Sequence, residues 1–376
     1  MPKSGIALAT LAMLGAFIAS PAFAQGLITG PGLSATVEGF RQAAENEPGF
    51  SPWVLKREVS LRTPPEREYL VDFRVDVDDS GAVENIRVLG GMYDEAFLGE
   101  ASAAMQSMEL APATQGGKAV AWTALDFRVL GRGPFLPGMT DTLREEYTTA
   151  LQLVTDANYA DAESTFMALQ KDKASRLFEY ALLEDQLATI YMATDRMHEG
   201  LEAARNATGA SEPIQPPRAV RGDREVPPHY LPPELYLPAL RRRFLLAVSL
   251  NQIGEAIEVF SELQAMAAEG QAGATVDLVG IFQQMESAVS AEAPIGSIVK
   301  IIDGRWRYET SSRRIFGVTA LNGSVDFIDI ACDGNAKRRM AYTDDSEFAL
   351  PASWDNCTLE FRGEDGSQLT LYEYLN

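Results

Sequence analysis

The sequence predicts a multidomain α+β protein made of three successive folded parts. Mixed strand and helix patterns occupy residues 25–135, helical patterns fill residues 139–292, and strand patterns return over residues 295–376. The chain has 376 residues, of which 46% are hydrophobic, so it is long enough for several domains with separate cores. A signal peptide over residues 1–24 precedes these parts.

The first 24 residues have the composition of a cleavable export signal. Lys3 provides a positive start, residues 5–19 are almost wholly apolar, and the run Ala22 to Ala24 offers the small residues of a cleavage site. The apolar stretch is shorter than the roughly 20 residues that span a bilayer. We therefore expect a periplasmic protein that begins at Gln25 and has no membrane span in its mature form. An uncleaved N-terminal anchor is the alternative.

The composition argues against several classes of function. The formal net charge is −21, and an acidic surface repels phosphate backbones, so nucleic-acid binding is not expected. The only histidines are His198 and His229, and no zinc-protease or nucleotide-binding motif occurs, so both histidines are interpreted as surface residues. We predict no cofactor, no catalytic residue and no enzymatic activity. A hydrolase assembled from carboxylates that meet only in the fold is an alternative without positive support.

The clearest local pattern is a β-hairpin followed by a helix and a further strand. Residues 69–77 and 83–89 alternate apolar and polar positions around a turn at residues 78–81. Helical spacing of apolar residues follows over residues 93–110, and residues 119–130 form the next strand. The predicted order is strand, strand, helix, strand.

The turn of this hairpin imitates the start of a calcium-binding loop. Asp76, Asp78, Ser80 and Gly81 match the first liganding positions and the glycine of such a loop. Arg87 stands where the loop would place a bidentate glutamate. We interpret the run as a turn and predict no metal site.

The element order and several residues resemble the C-terminal domain of TonB-family energy transducers over residues 69–129. The matching residues are Val77 to Gly81 in the turn, Val83, Ile86 and Val88 in the second strand, Asp94 to Phe97 at the helix start, Pro112 to Thr114, and Gly117 to Val120. Ala119 stands where the family commonly has a proline.

The resemblance implies that an extended partner peptide pairs with the edge of the last strand, as the family does with outer-membrane transporters. We accordingly predict a partner-binding edge formed by Val120, Trp122, Ala124, Asp126 and Arg128, with Trp122 and Asp126 contributing selectivity. Family members that transduce energy keep a membrane anchor and a long proline-rich linker, so transduction is not expected here. It is the alternative if residues 1–24 are retained as an anchor.

The helical part contains a weak internal repeat that resembles tetratricopeptide repeats. Ala162, Gly200 and Ala256 occupy equivalent small-residue positions, 38 and 56 residues apart against an ideal spacing of 34. The longer interval holds a proline-rich insertion, residues 211–234, interpreted as a stiff loop; a ligand for an aromatic groove is the alternative. Repeats of this kind also suggest a second function, a scaffold for cell-envelope assembly. The cluster Arg241 to Arg243 is expected to pair with neighbouring carboxylates.

The last part, residues 295–376, predicts a small antiparallel β domain in which we recognise no family. Asn322-Gly323 predicts a hairpin between two strands, and Asp365-Gly366 lies in a second turn between strands. Cys332 and Cys357 are the only cysteines, and an even pair in an exported protein predicts a disulfide bond.

Overall fold

The computed structural model describes residues 54–55, 68–108, 110–115, 117–131, 138–209, 229–271, 273–332 and 337–375. The expected signal peptide, its cleavage before Gln25 and most of the insertion 211–234 lie outside the described residues. Within them, the structure is a mixed α+β arrangement whose sheets are antiparallel, which confirms the predicted fold class at that level. None of the helices in the described part of the chain has the length and hydropathy needed to cross a bilayer.

The first part of the chain forms a small sheet with one helix. Its elements are β1 (Val54–Leu55), β2 (Tyr69–Val77), β3 (Val83–Met92), α1 (Glu95–Gln106), β4 (Leu110–Ala111), β5 (Ala113–Gln115), β6 (Lys118–Val120) and β7 (Trp122–Gly131). The main sheet has the order β3-β2-β7, while β1 pairs with β4 and β5 pairs with β6. Because side chains alternate along a strand, β2 turns Val71, Phe73 and Val75 to α1 and its polar residues to the opposite face.

The run Asp76 to Gly81 includes the turn between β2 and β3. The Asp78 carboxylate accepts hydrogen bonds from the backbone N–H groups of Ser80 and Ala82 at 2.9 and 2.8 Å. Gly81 has a φ of 89°, and a Cβ at this position would lie 1.9 Å from the Leu110 carbonyl oxygen. Only glycine therefore fits this turn. The Asp78 oxygens stabilise the backbone of a hairpin.

The middle of the chain is helical, and its first six helices form three consecutive helical hairpins. The helices are α2 (Asp141–Thr155), α3 (Tyr159–Asp172), α4 (Leu177–Ala193), α5 (Met197–Thr208), α6 (Pro233–Ser249), α7 (Ile253–Ala268) and α8 (Val279–Ser290). One left-handed residue stands two positions before the second helix of each hairpin: Ala157, Asp195 and Asn251, with φ of 56°, 59° and 54°. The three turns are therefore equivalent in backbone geometry.

The hydrogen bonds of these turns are equivalent as well. The residue after each left-handed position donates its N–H to a carbonyl five residues back. These bonds run from Asn158 to Leu153, from Arg196 to Tyr191 and from Gln252 to Ala247, at 2.9, 2.8 and 2.8 Å. The three turns therefore share one backbone conformation and one hydrogen-bond pattern.

Small buried residues let paired helices approach closely. Ala162 and Ala256 are fully buried, and a Cβ on Gly200 would lie 3.0 Å from the Leu246 side chain. Phe166 and Phe260 fill the space beside them and are almost completely buried. Close packing of small and aromatic residues thus stabilises each hairpin.

The last part contains two four-stranded antiparallel sheets. Its strands are β8 (Ile295–Lys300), β9 (Arg305–Glu309), β10 (Ile315–Asn322), β11 (Val325–Ala331), β12 (Lys337–Ala341), β13 (Ser346–Ala349), β14 (Thr358–Gly363) and β15 (Gln368–Tyr374). The sheet orders are β13-β10-β15-β8 and β12-β11-β14-β9. The predicted disulfide is confirmed: Cys332 and Cys357 join the ends of the neighbouring strands β11 and β14 with an S–S distance of 2.08 Å.

The predicted hairpin at Asn322-Gly323 is wrong, although both predicted turns exist. The strands on either side of Asn322-Gly323 belong to different sheets, and the same holds for the strands on either side of Asp365-Gly366. Gly323 packs so closely on Ser367 that a Cβ would lie 2.3 Å from the serine hydroxyl oxygen, which also accepts a hydrogen bond from Ser324 N–H. This contact joins the two turns, and the chain crosses between sheets at both.

One apolar core runs through the helical hairpins and the C-terminal sheets. It includes fully buried aromatic residues of both parts, such as Phe244, Trp306 and Phe361, and reaches Leu70 and Met92 in the N-terminal sheet. A second core lies between that sheet and α1. The N-terminal sheet is therefore held between its own helix and the rest of the molecule.

Gly254 is expected to be required for packing the third helical hairpin on the C-terminal sheets. A Cβ at Gly254 would lie 2.3 Å from the Glu309 carbonyl oxygen and 2.4 Å from that of Thr310. Gly254→Ala should therefore lower the free energy of unfolding by about 2 kcal/mol, the typical cost of overpacking.

Gly280→Ala is the matched control, because Gly280 is also the second residue of a helix and a Cβ there meets nothing within 4 Å. We expect it to stabilise by about 0.5–1 kcal/mol. Urea unfolding followed by circular dichroism measures both variants. Equal effects of the two substitutions would contradict the close contact.

Candidate functional site in the edge strand of the N-terminal sheet

The predicted partner-binding strand lies at one end of its sheet. β7 pairs antiparallel with β2 from Tyr69↔Gly131 to Val77↔Trp122, with a register shift between Val75 and Val77. Among the described residues, β7 has a strand partner on that side only. The preceding strand β1 pairs with β4, so it does not occupy the outer side of β7.

The predicted site residues do not share one environment. Val120 belongs to β6, where it pairs with Ala113, and it is half-buried. Trp122 is only 8% exposed. Ala124 is half-buried in a left-handed conformation, with φ of 56°, and donates its N–H to the Asp76 carboxylate at 2.7 Å. This non-glycine left-handed residue marks the irregularity at which β7 loses register with β2.

Asp126 is the centre of an ion cluster that joins two parts of the molecule. Its carboxylate accepts from Arg74 at 2.8 Å, from Arg305 at 2.7 Å and from Arg362 at 3.1 Å. Arg74 comes from β2, whereas the other two arginines come from β9 and β14 of the C-terminal sheets. Arg74 also donates to the Asp303 carbonyl at 2.8 Å.

The electrostatics of the cluster favour the charged form of Asp126. Burial raises the pKa of its carboxyl, but the hydrogen bond from Arg74 and the charges of Arg305 and Arg362 outweigh burial. The pKa of Asp126 therefore lies below its usual value. The side chain of Asp126 is occupied in fixing the C-terminal sheets to β7.

Arg128 makes the corresponding contact with the helices. It forms two hydrogen bonds with Asp72 on β2, at 2.6 and 2.7 Å, and one with Asn206 on α5 at 3.2 Å. The charged face of β2 and β7 is thus covered by α5 on one side and by the C-terminal sheets on the other. Asp126 and Arg128 lie together on this covered face.

Glu184 on α4 adds a titratable group beside this interface. Its side chain accepts a hydrogen bond from Gln170 at 2.6 Å, and the residue is 8% exposed. Burial raises the pKa of Glu184 to about 7, although hydrogen bonds from Gln170, Tyr180 and Asn206 and the charge of Arg128 oppose the shift. The group therefore changes protonation near neutral pH.

The exposed part of the candidate edge is shorter than predicted. The backbone from Lys118 to Thr123 carries exposed side chains at Lys118, Ala119, Ala121 and Thr123. We call this segment the open run. An approaching strand would meet these residues, whereas Trp122, Asp126 and Arg128 are engaged within the protein.

Sequence reasoning missed the arginines that occupy the charged face. The polar positions of β2, Asp72 and Arg74, have charges opposite to those of Arg128 and Asp126, so cross-strand pairing could have been inferred from the register. Arg305 and Arg362 lie far away along the chain, in strands of no recognised family. No local signal connected them to Asp126.

The two histidines also lie in specific contacts. His198 is half-buried between α5 and β8, with Nε2 2.9 Å from the Ile298 carbonyl oxygen, and burial lowers its pKa. The ring of His229 stacks on Tyr236 with centroids 3.8 Å apart. Aromatic neighbours partly cover both rings, and both residues remain partly exposed. In the described part of the chain, no group of three His, Cys, Asp or Glu side chains is placed to hold a metal ion.

No protein-family model matches the chain, and no curated protein matches it significantly.

Asp126→Ala is expected to destabilise the protein strongly, because it leaves buried guanidinium groups without their shared carboxylate. Breaking a buried ion pair from one side typically costs about 3–5 kcal/mol. The matched control is Asp141→Ala, which removes a carboxylate that is 94% exposed and paired with Arg144. Exposed pairs contribute little, so the control should unfold almost as the parent does. Chemical denaturation of both variants measures the difference, and similar midpoints would refute the role of Asp126.

Glu184 is expected to make stability depend on pH between 4.5, its ordinary pKa, and about 7. In this range the folded state keeps a proton that the unfolded state has lost, so stability is fully present below pH 4.5 and falls as pH rises. Glu184→Gln should remove this contribution, on the order of 1–3 kcal/mol, since one pKa unit corresponds to about 1.4 kcal/mol. Denaturant unfolding from pH 4.5 to 8 tests this. A parallel loss of stability in both proteins would contradict it.

Proposed function

We propose that this protein is a periplasmic, non-enzymatic binding protein that pairs an extended segment of an envelope protein with the outer side of β7. The observation that carries the proposal is the end position of β7, which has one strand partner among the described residues. An unpaired strand edge offers backbone donors and acceptors to another chain. The open run leads from β6 into the first residues of β7 and carries exposed side chains next to that edge.

The resemblance to TonB-family C-terminal domains supports the same proposal. The succession β2, β3, α1 and β7 has the order strand, strand, helix, strand that this resemblance implies. Family members bind transporter segments at the last strand, so an outer-membrane transporter is the partner we propose. Export rests on residues 1–24, and the Cys332–Cys357 disulfide fits an oxidising compartment.

Selectivity is assigned differently from the expectation based on sequence. Trp122 and Asp126 contact other parts of the protein, so we propose that backbone pairing supplies most of the affinity. Ala119, Ala121 and Thr123 are the exposed side chains beside the approaching strand. Their small size would admit bulky side chains of the partner.

The alternative of a helical scaffold has less support. Most residues of α4, the first helix of the second hairpin, are buried, including Glu179, Glu184 and Asp185. A helix enclosed in this way offers little surface to a partner. The tetratricopeptide-like hairpins are better suited to holding the two β-containing parts in a fixed relation.

The test uses labelled peptides of about ten residues that tile the periplasmic N-terminal extensions of the host's outer-membrane transporters. Fluorescence anisotropy with the mature protein should detect saturable binding of at least one peptide. Each binding peptide is then methylated at alternate backbone nitrogens, in two complementary sets.

Strand pairing uses the N–H groups of alternate residues, so one methylated set should lose binding and the other should retain it. Failure of every peptide to bind would refute the proposed partner class. Equal binding of both methylated sets would refute strand pairing.

A further inference from the structure

One side chain of the C-terminal sheets reaches the backbone of the open run. Arg339 lies on β12, the end strand of its sheet, opposite Asp329 on β11. Its guanidinium donates to both carboxylate oxygens of Asp329, at 2.6 and 2.7 Å. This two-pronged ion pair fixes the direction of the arginine.

The same guanidinium crosses to β7. It donates to the Thr123 hydroxyl at 2.9 Å and to the Thr123 carbonyl at 2.8 Å. Its central carbon lies 4.2 Å from the ring centre of Trp122 and 3.7 Å from that of Phe327. Arg339 therefore stacks on Trp122 of the N-terminal sheet and on Phe327 of the C-terminal sheets. It also forms hydrogen bonds with Thr123 and Asp329, so it connects the N-terminal sheet specifically with the C-terminal sheets.

The Thr123 carbonyl belongs to the stretch where an incoming strand would dock, and here it accepts from a residue outside its own sheet. An added strand requires such backbone acceptors for its N–H groups. Arg339 and a partner strand therefore compete for one oxygen and for the space around it.

We propose that Arg339 is a latch on the β7 edge: in the free protein it closes the open run at Thr123, and a partner peptide must displace it to pair there. This proposal rests on the proposed function and adds its regulation. The latch comes from the C-terminal sheets, which gives that part of the chain a role in binding.

The contacts allow two defined positions for Arg339. When Thr123 is released, Asp329 still pairs with the guanidinium, so no buried charge is left unpaired. The released state loses the two bonds to Thr123 and the stacking on Trp122, and the partner strand replaces the bond to the carbonyl. The free energy needed to release Arg339 from Thr123 and Trp122 thus reduces the net free energy of peptide binding.

The experiment compares wild-type protein with Arg339→Ala, using the labelled transporter peptides described above. Arg339→Lys is a second variant, which keeps the charge but cannot reach Asp329 and Thr123 together in the same planar geometry. The control is Arg307→Ala: Arg307 is a half-exposed arginine on β9, at the opposite end of the same sheet, and pairs with Glu309.

Replacing Arg339 should increase the affinity for the peptide, because the hydrogen bonds from its guanidinium to Thr123 no longer have to be broken before the peptide pairs there. We expect Arg339→Ala to bind at least about tenfold more tightly than wild type. Arg339→Lys should fall between them, and Arg307→Ala should bind as wild type does. Hydrogen exchange of residues 119–125 without peptide should be faster in both Arg339 variants and unchanged in the control.

The outcomes separate the latch from the proposed function. Equal or weaker peptide binding by the Arg339 variants overturns the latch and leaves strand addition standing. If Arg339→Ala binds a peptide that wild-type protein does not bind, the result supports both the latch and strand addition. If no protein binds any peptide while exchange is faster in the variants, the binding function fails and the latch has nothing to regulate. Unchanged exchange overturns the latch whatever the peptides do.

Discussion

Asp126 accepts hydrogen bonds from an arginine of its own sheet and from two arginines of the C-terminal sheets, and this shared carboxylate determines how the parts of the chain are arranged. A buried carboxylate or guanidinium is costly unless its charge and its hydrogen bonds are satisfied. Arg74, Arg305 and Arg362 all reach this carboxylate because β2, β9 and β14 meet at Asp126. We expect the cluster to favour this arrangement of the strands over others.

The same arrangement occurs inside the helical part. Glu255 is completely buried and lies between Arg205 and Arg243. Burial raises its pKa, but the two arginines outweigh burial and lower the pKa to about 2. Asp185 pairs with Arg242 across neighbouring hairpins and is buried as well. Arg242 and Arg243 thus pair with carboxylates, as predicted, whereas Arg241 donates to the backbone carbonyl oxygens of Gly273 and Ala274. Each of the two ion pairs connects two helices.

Part of this structure could be predicted because its causes are local. The alternation in β2, the turn at Gly81 and the cysteine pair depend on neighbouring residues or on residue type alone. Ala162, Gly200 and Ala256 indicated closely packed helices, since close helix packing requires small residues. Local sequence patterns therefore predicted the helices and strands and most of their order along the chain.

The rest depended on contacts that no local pattern encodes. Asn322-Gly323 signalled a tight turn, but the strands on either side of it pair with β15 and β14, far along the chain, and not with each other. The polar side of β2 and β7 matched a solvent-facing pattern, yet arginines from distant strands cover it. Trp122 and Asp126 lie on β7, but no local pattern indicated that arginines of the C-terminal sheets contact both side chains.

Burial of these ion pairs also determines how the molecule responds to dissolved salt. Mobile ions screen charges that water can reach, with a Debye length near 8 Å at physiological ionic strength, but screen charges enclosed by protein much less. Arg74 and Arg362 are almost fully enclosed where they meet Asp126. The relative placement of β7 and the C-terminal sheets should therefore change little with the salt concentration of the medium. Exposed ion pairs such as Arg144 with Asp141 should weaken as the salt concentration rises.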